Sequence, residues 1–200
     1  MRGKRVLEVG CATGVDLTHE VYAEAAERCG IDIDAQAIET GQALYPGLDL
    51  QVARGEAIPF RDGYFDAVLC RIAVPYMDIP AALSEFHRVM RPGGYLFVSW
   101  HDWKGKGEWF GDPMRGVAWK RMVDFAYIVA ASLTYRLSGR IPVRPWNGTR
   151  ETFQFRNHLP SILTAAGFVD VASERTAHHL RTTARKPNPS SQRNPDTRIH

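Results

Sequence analysis

The sequence predicts an α/β fold, a doubly wound sheet with helices on both faces. Three observations carry this. Val6-Leu7-Glu8-Val9-Gly10-Cys11-Ala12-Thr13-Gly14 sets two aliphatic pairs around one carboxylate and then breaks at glycine. That is the pattern of a buried parallel strand and a tight turn. A second apolar run, Ile31-Asp32-Ile33-Asp34, places an acid eighteen residues beyond Gly14. Strand-like and helix-like segments then alternate to about residue 100, as in parallel sheets with crossover helices.

The elements follow in order. Val15 to Arg28 is expected to be a helix with Val15, Leu17, Val21, Ala25 and Ala26 inward, its first N–H groups aimed at the turn. Asp16 and His19 lie in its first turns, and His19 reads as solvated. Cys29 to Ile33 is the second strand. Asp34 caps a helix reaching Gln42 or Leu44. Pro46-Gly47 turns the chain into a third strand, Leu50 to Ala53. Phe65 to Cys70 is the fourth strand. Ala81 to Met90 is a helix with Leu83, Phe86, Val89 and Met90 inward and Glu85 and Arg88 outward or bridging. Arg91-Pro92-Gly93-Gly94 stops it and leads into strand five, Tyr95 to Trp100. Asn157 to Ala166 is the last helix, Val169 to Ala172 opens strand six, and a weakly patterned seventh strand falls near Leu180 to Ala184.

The turn holds chemistry. Its pattern is Glu-x-Gly-x-x-x-Gly, with Ala12 where the dinucleotide fingerprint has its middle glycine. Glu8 is a poor neighbour for a pyrophosphate and a good one for an ammonium. Asp32 stands where a carboxylate accepts two hydrogen bonds from ribose hydroxyls. A ligand with a ribose, an adenine and a cationic amino-acid end therefore fits better than a nicotinamide dinucleotide.

Val6 to Gly14 resembles motif I of the class I S-adenosylmethionine (SAM)-dependent methyltransferases. Phe65 to Cys70 resembles their motif II. The run through Glu85, Arg88-Val89 and Pro92-Gly93-Gly94, and Ala166-Gly167-Phe168, are similar to the same family. The resemblance covers residues 5 to 100 and 150 to 175. It implies a Rossmann-like seven-stranded sheet of order 3-2-1-4-5-7-6 with strand seven antiparallel, and SAM as cofactor. It implies a cofactor site of Glu8, Gly10, Cys11, Ala12 and Gly14, with Asp32 and Ile33 at the ribose strand. Glu56 and Ala57 then stand where the family contacts adenine. Arg71 leaves strand four at the edge that holds ligands in open α/β sheets, where it can meet the cofactor carboxylate, and Tyr76 can wall the acceptor site.

The same resemblance implies methyl transfer to a small acceptor. A largely apolar or aromatic one, methylated on oxygen or carbon, suits Tyr76, Trp100, Trp103, Trp109 and Trp119 near that edge. His101 leaves strand five there and is the first choice of base for a hydroxyl acceptor. Cys70 lacks the Pro-Cys pair of cytosine methylases and reads as a packed thiol. The Pro-Pro-aromatic signature of amino-group methylases is also absent. Two other classes remain: a methyltransferase-like protein that binds SAM without turnover or serves as an interaction module, and a nicotinamide-dependent oxidoreductase.

Composition sets the remaining expectations. The chain of 200 residues is read as one domain, residues 1–185, with a tail 186–200 rich in Pro, Asn, Ser, Gln and Arg. The net charge of +3 and the lack of a dense basic stripe argue against nucleic acid as partner. Three widely spaced cysteines fit no zinc site and suit a reducing cytoplasm. The chain opens Met1-Arg2-Gly3-Lys4-Arg5 and goes directly into its first strand, with no signal peptide expected. Residues 101–150 form an insertion whose Trp119, Met122, Val123, Ala126, Ala130, Leu133 and Leu137 fall at steps of three and four. That is one amphipathic helix: a core helix, a lid over the acceptor beside Tyr76 and His101, or a peripheral membrane helix, too short in its uncharged run to span a bilayer.

Overall fold

The computed structural model describes residues 1–101, 118–138, 142–143, 159–176 and 179–189. The strands are β1 (Arg5–Val9), β2 (Glu27–Asp32), β3 (Asp49–Val52), β4 (Phe65–Arg71), β5 (Met90–His101), β6 (Val169–Arg175) and β7 (His179–Arg185). The helices are α1 (Ala35–Leu44), α2 (Ile79–Val89), α3 (Ala118–Ser138) and α4 (Leu159–Ala165). One seven-stranded sheet runs in the order β3-β2-β1-β4-β5-β7-β6. β1 to β5 are parallel neighbours, and β7 is antiparallel to both β5 and β6.

Strand alternation divides the core between the two faces. Leu7, Val9, Val68, Cys70, Leu96 and Val98 pack with Leu83 and Phe86 of α2 and Leu163 of α4. Val6, Leu50 and Leu69 pack on the other face with Leu17, Tyr22 and Ile38. Asp34 caps α1 by accepting from Gln36 N (3.0 Å) and Ala37 N (3.1 Å). Asp78 caps α2 by accepting from Ala81 N at 3.4 Å, so α2 begins at Ile79, ahead of the Ala81 that its periodicity predicts.

The expected helix from Val15 to Arg28 is absent. Two short 3₁₀ turns, Val15–Thr18 and Glu20–Tyr22, replace it. Leu17 and Tyr22 are buried, whereas Val15 and Val21 are 52% and 50% exposed. The run is interrupted at His19, whose extended backbone (φ −57°, ψ 144°) ends the first turn and whose Nδ1 accepts from Val21 N at 3.4 Å to start the second. The Thr18 hydroxyl donates to the Val15 carbonyl at 2.6 Å, the acceptor a continuing α-helix would use.

α3 carries a second correction. Ile128, Ala131, Ser132 and Tyr135 form its buried stripe. The stripe expected to be inward lies exposed at Val123, Ala126, Ala130, Leu133 and Leu137. No charged residue stands between Asp124 and Arg136. Both faces are therefore apolar, and periodicity alone could not choose between them. Tyr135 joins the core on the α2–α4 face. Burial, and after it the Asp78 carboxylate, push its phenol up to about 12.

Lys186, expected to begin the tail, is anchored. Its ammonium donates to the carbonyls of His87 and Met90, both at 2.8 Å. Its backbone exchanges bonds with Gly93 and Gly94. Residues 190–200 lie outside the described residues. Among the described residues, no helix is long and apolar enough to cross a membrane.

Candidate functional site

β1 ends at the carboxyl edge of the sheet, where Gly10 turns with φ +77°. A Cβ at Gly10 would stand 2.4 Å from the Ala73 Cβ. The turn and the exit from β4 are thus packed against each other, and only glycine fits. Four of the turn's amides, those of Gly10, Cys11, Ala12 and Gly14, are already used. Gly10 N (2.8 Å) and Cys11 N (3.1 Å) donate to the Ile31 carbonyl, and Gly14 N donates to Cys11 O at 2.8 Å. Ala12, itself at φ +48°, donates to Asp32 Oδ2 at 2.8 Å. With no α-helix behind the turn, the expected row of free N–H groups is not formed. The site is built on close backbone approach and on carboxylates.

Asp32 is the hinge of this arrangement. Its Oδ2 accepts from Ala12 and its Oδ1 from Asp34 N at 3.0 Å. Each oxygen keeps a further lone pair. A cavity of about 250 Å³ opens beside it, with Gly10, Asp32, Ile33, Glu56 and Tyr76 in its wall. Five residues singled out from sequence thus share one space. Val9, Ala53, Arg54, Gly55, Ala73 and Met77 complete the lining. Gly55 was missed; a Cβ there would sit 2.6 Å from Met77 Sδ. Ile33 is 68% exposed at the mouth, an apolar wall suited to a flat ring.

Glu56 turns its carboxylate to the start of α2. Its Oε1 accepts from Asp78 N at 2.9 Å, and its Oε2 lies 3.6 Å from Arg54 Nε. Ala57 is exposed and donates its N–H to Arg54 O at 3.1 Å. Arg88 holds this loop to α2 from behind. It pairs with Glu85 and Asp62 and donates to the carbonyls of Ile58 and Phe60. Glu85 in turn accepts from Ile58 N at 2.8 Å.

Glu8 and Arg71 meet at the same edge. Glu8 stands opposite Leu69 in the β1–β4 register, so Arg71, two residues on, is its diagonal neighbour. Arg71 Nε lies 2.9 Å and Nη2 2.7 Å from Glu8 Oε1. Asp16, on the first 3₁₀ turn, approaches the same Nη2 at 3.3 Å. Glu8 is 2% exposed, and its Oε2 has no hydrogen-bond partner among the described residues. Burial pushes Glu8 up to about 7, against the pull of Arg71. The pair offers opposite charges side by side, the complement of an amino-acid zwitterion.

Ile72 follows at φ +65°, a region that β-branched residues almost never enter. Its N–H donates to both the carbonyl and the hydroxyl of Ser99, each at 3.1 Å. The strained residue re-aims the chain between Arg71 and Ala73. No sequence signal marks it, because isoleucine in a strand run argues for extended backbone.

The remaining candidates fall as follows. His101 ends β5 opposite His179; its side chain lies outside the described residues, as does that of Trp119 on α3. Trp103 and Trp109 lie outside them altogether. Trp100, expected near the ligand edge, is fully buried in the α2–α4 core, because alternation along β5 turns it to that face. Tyr76 is 48% exposed on a 3₁₀ turn (Val74–Tyr76). All three cysteines are free and buried. Burial pushes Cys11 and Cys29 up to about 12 and Cys70 higher still. None is a ready nucleophile.

Comparisons with known proteins agree with this fold. Residues 7–98 match the family model described as a methyltransferase domain. Over these residues the chain is similar to the class I SAM-dependent methyltransferases, whose cofactor is SAM. It is 29% identical over 189 residues to the phthiotriol/phenolphthiotriol dimycocerosates methyltransferase of Mycobacterium leprae, covering 90% of this chain and 66% of that protein. It is 34% identical over 99 residues to the demethylmenaquinone methyltransferase of Renibacterium salmoninarum, covering 48% of this chain and 41% of that protein. The chain thus spans less than two thirds of the length of these relatives. The fold is shared with a SAM-dependent methyltransferase from Methanosarcina mazei, at TM-score 0.61 and 17% identity over 94% of each chain. It is shared also with the CurJ carbon methyltransferase, at TM-score 0.64 and 18% identity over 94% of this chain and 49% of that one.

Proposed function

We propose that this chain transfers a methyl group from SAM to a small, largely apolar or aromatic acceptor, on oxygen or carbon. The observation that carries the reading is the edge cavity bounded by Asp32, with the Glu8–Arg71 pair beside the same turn. Asp32 holds the ribose hydroxyls. Ile33, Ala57 and Glu56 border the adenine. Gly10, Cys11, Ala12 and Gly14 form the turn that lets the cofactor approach the backbone. Glu8 receives the α-ammonium and Arg71 the α-carboxylate. The buried, unpartnered Oε2 of Glu8 fits this, since a charged donor there would satisfy it.

When bound, SAM supplies a methyl group already activated by its sulfonium. The protein's work is to hold the acceptor in line and exclude water. Tyr76, at the mouth of the cavity, walls the acceptor, with Trp103 and Trp119 as further wall residues. His101 takes the proton if the acceptor is a hydroxyl. The relatives named for demethylmenaquinone and for dimycocerosates support an apolar acceptor. An O-methyltransferase of Aspergillus sclerotiorum, 31% identical over 104 residues, supports oxygen as the atom. The test is a calorimetric titration with SAM, followed by a screen of apolar phenols and quinols for release of S-adenosylhomocysteine. No heat of SAM binding would refute the reading at its first step. Binding without product from any acceptor would leave a SAM-binding protein without turnover.

A further inference from the structure

α3 presents a second apolar face to solvent. Val123, Ala126, Ala130, Leu133 and Leu137 follow one another at steps of three and four, and all are exposed. Leu133 is 48% and Leu137 87% exposed, and Val129 beside them is 37% exposed. The opposite stripe, Ile128, Ala131 and Tyr135, is already buried against the domain. A helix apolar on both faces needs cover on both.

The surrounding sequence says what kind of cover. Residues 115–150 hold seven Lys or Arg (Arg115, Lys120, Arg121, Arg136, Arg140, Arg144, Arg150) and one acid, Asp124. The whole chain is only +3, so the remainder is net acidic. The positive charge is concentrated on the stretch that exposes the apolar face. Basic flanks around an apolar helix face are the signature of binding to an anionic bilayer surface. The uncharged run between Asp124 and Arg136 is too short to span a bilayer, and no described helix is long and apolar enough to do so. A second copy of the chain is poorly served. A stripe of this length offers on the order of 300 Å², against roughly 800 Å² per partner in a stable interface.

We propose that α3 docks this protein on the surface of an anionic lipid bilayer through the face of Val123, Ala126, Ala130, Leu133 and Leu137. Mechanically, the helix lies parallel to the membrane with its leucines among the acyl chains. Tyr135 and Ile128 keep it bound to the domain.

The test is flotation of the full chain with vesicles of phosphatidylglycerol and phosphatidylcholine, and with vesicles of phosphatidylcholine alone. The expected result is binding about tenfold or more stronger to the anionic vesicles, weakened by added salt. Leu133→Gln/Leu137→Gln should abolish it while leaving the thermal midpoint unchanged, because both side chains are exposed. Leu137→Gln alone, at the most exposed position, should weaken it by about tenfold. No flotation of the wild type, or equal flotation of wild type and both variants, would overturn the proposal. So would a wild-type dimer in sedimentation equilibrium that the double variant abolishes. Vesicle binding requires neither cofactor nor acceptor, so its failure is separate from failure of the methyltransferase reading.

Discussion

Arg71 holds one oxygen of Glu8 from two nitrogens, at 2.9 and 2.7 Å, and leaves the other oxygen buried without a hydrogen bond among the described residues. Desolvation outweighs this pairing and raises Glu8 from 4.5 to about 7. A carboxyl raised on folding favours the native state when protonated. Its contribution is full below about pH 4.5 and is lost as pH rises to about 7, a loss on the order of 3 kcal/mol. Urea unfolding at pH 5 and pH 8 should show this fall in the wild type and a flatter profile in Glu8→Gln. Identical profiles would remove Glu8 as its source. SAM affinity should run the other way and rise with pH through this window, because only ionised Glu8 accepts an ammonium.

Asp32→Ala should weaken SAM binding by about 1.5–3 kcal/mol, the range for a hydrogen bond to a charged group. Calorimetry reads it directly. Asp32 also accepts from Ala12 and Asp34, so the variant should lose about 1–3 kcal/mol of stability as well. Equal SAM affinity in wild type and variant would sink the ribose assignment.

Gly10→Ala meets two obstacles, the positive φ and the Ala73 Cβ at 2.4 Å. Together they should cost about 2–4 kcal/mol. Ala73→Gly removes the second and not the first. The double variant should recover about half of the loss, a coupling that a double-mutant cycle measures. Strict additivity would mean that the two residues do not touch.

Lys186 caps the end of α2 by donating to two carbonyls. Lys186→Met should lower stability by about 1–2 kcal/mol, visible as a lower thermal midpoint. Truncation at Lys186 should cost at least as much. A midpoint unchanged by both would return Lys186 to the tail.

His101→Ala should lower turnover of a hydroxyl acceptor by about 10²–10⁴-fold with SAM affinity unchanged, if His101 is the base. The effect should shrink as pH rises and the acceptor ionises by itself. Unchanged turnover across pH would exclude the role.

Local pattern was enough for much of this protein. Val6 to Gly14 records the strand and glycine turn that form, and Asp32 ends β2 beside that turn; the stop expected at Arg91 to Gly94 instead lies inside β5, which follows α2 directly at Met90. The sheet order came with the family resemblance those residues carry, and the edge cavity follows from it. Three features were decided only by the tertiary structure. The first crossover became two 3₁₀ turns broken at His19, because the sheet took Leu17 and Tyr22, which do not share one α-helical stripe. α3 buried Ile128 and Tyr135 rather than Leu133 and Leu137 because the uncharged run between Asp124 and Arg136 is apolar on both faces and has no preferred inward face until a neighbour supplies one. Glu8 found Arg71, 63 residues away, because strand pairing sets side chains beside each other at any sequence distance. Periodicity reports on one element at a time. Which elements meet, and what a buried charge costs where they do, is set by packing.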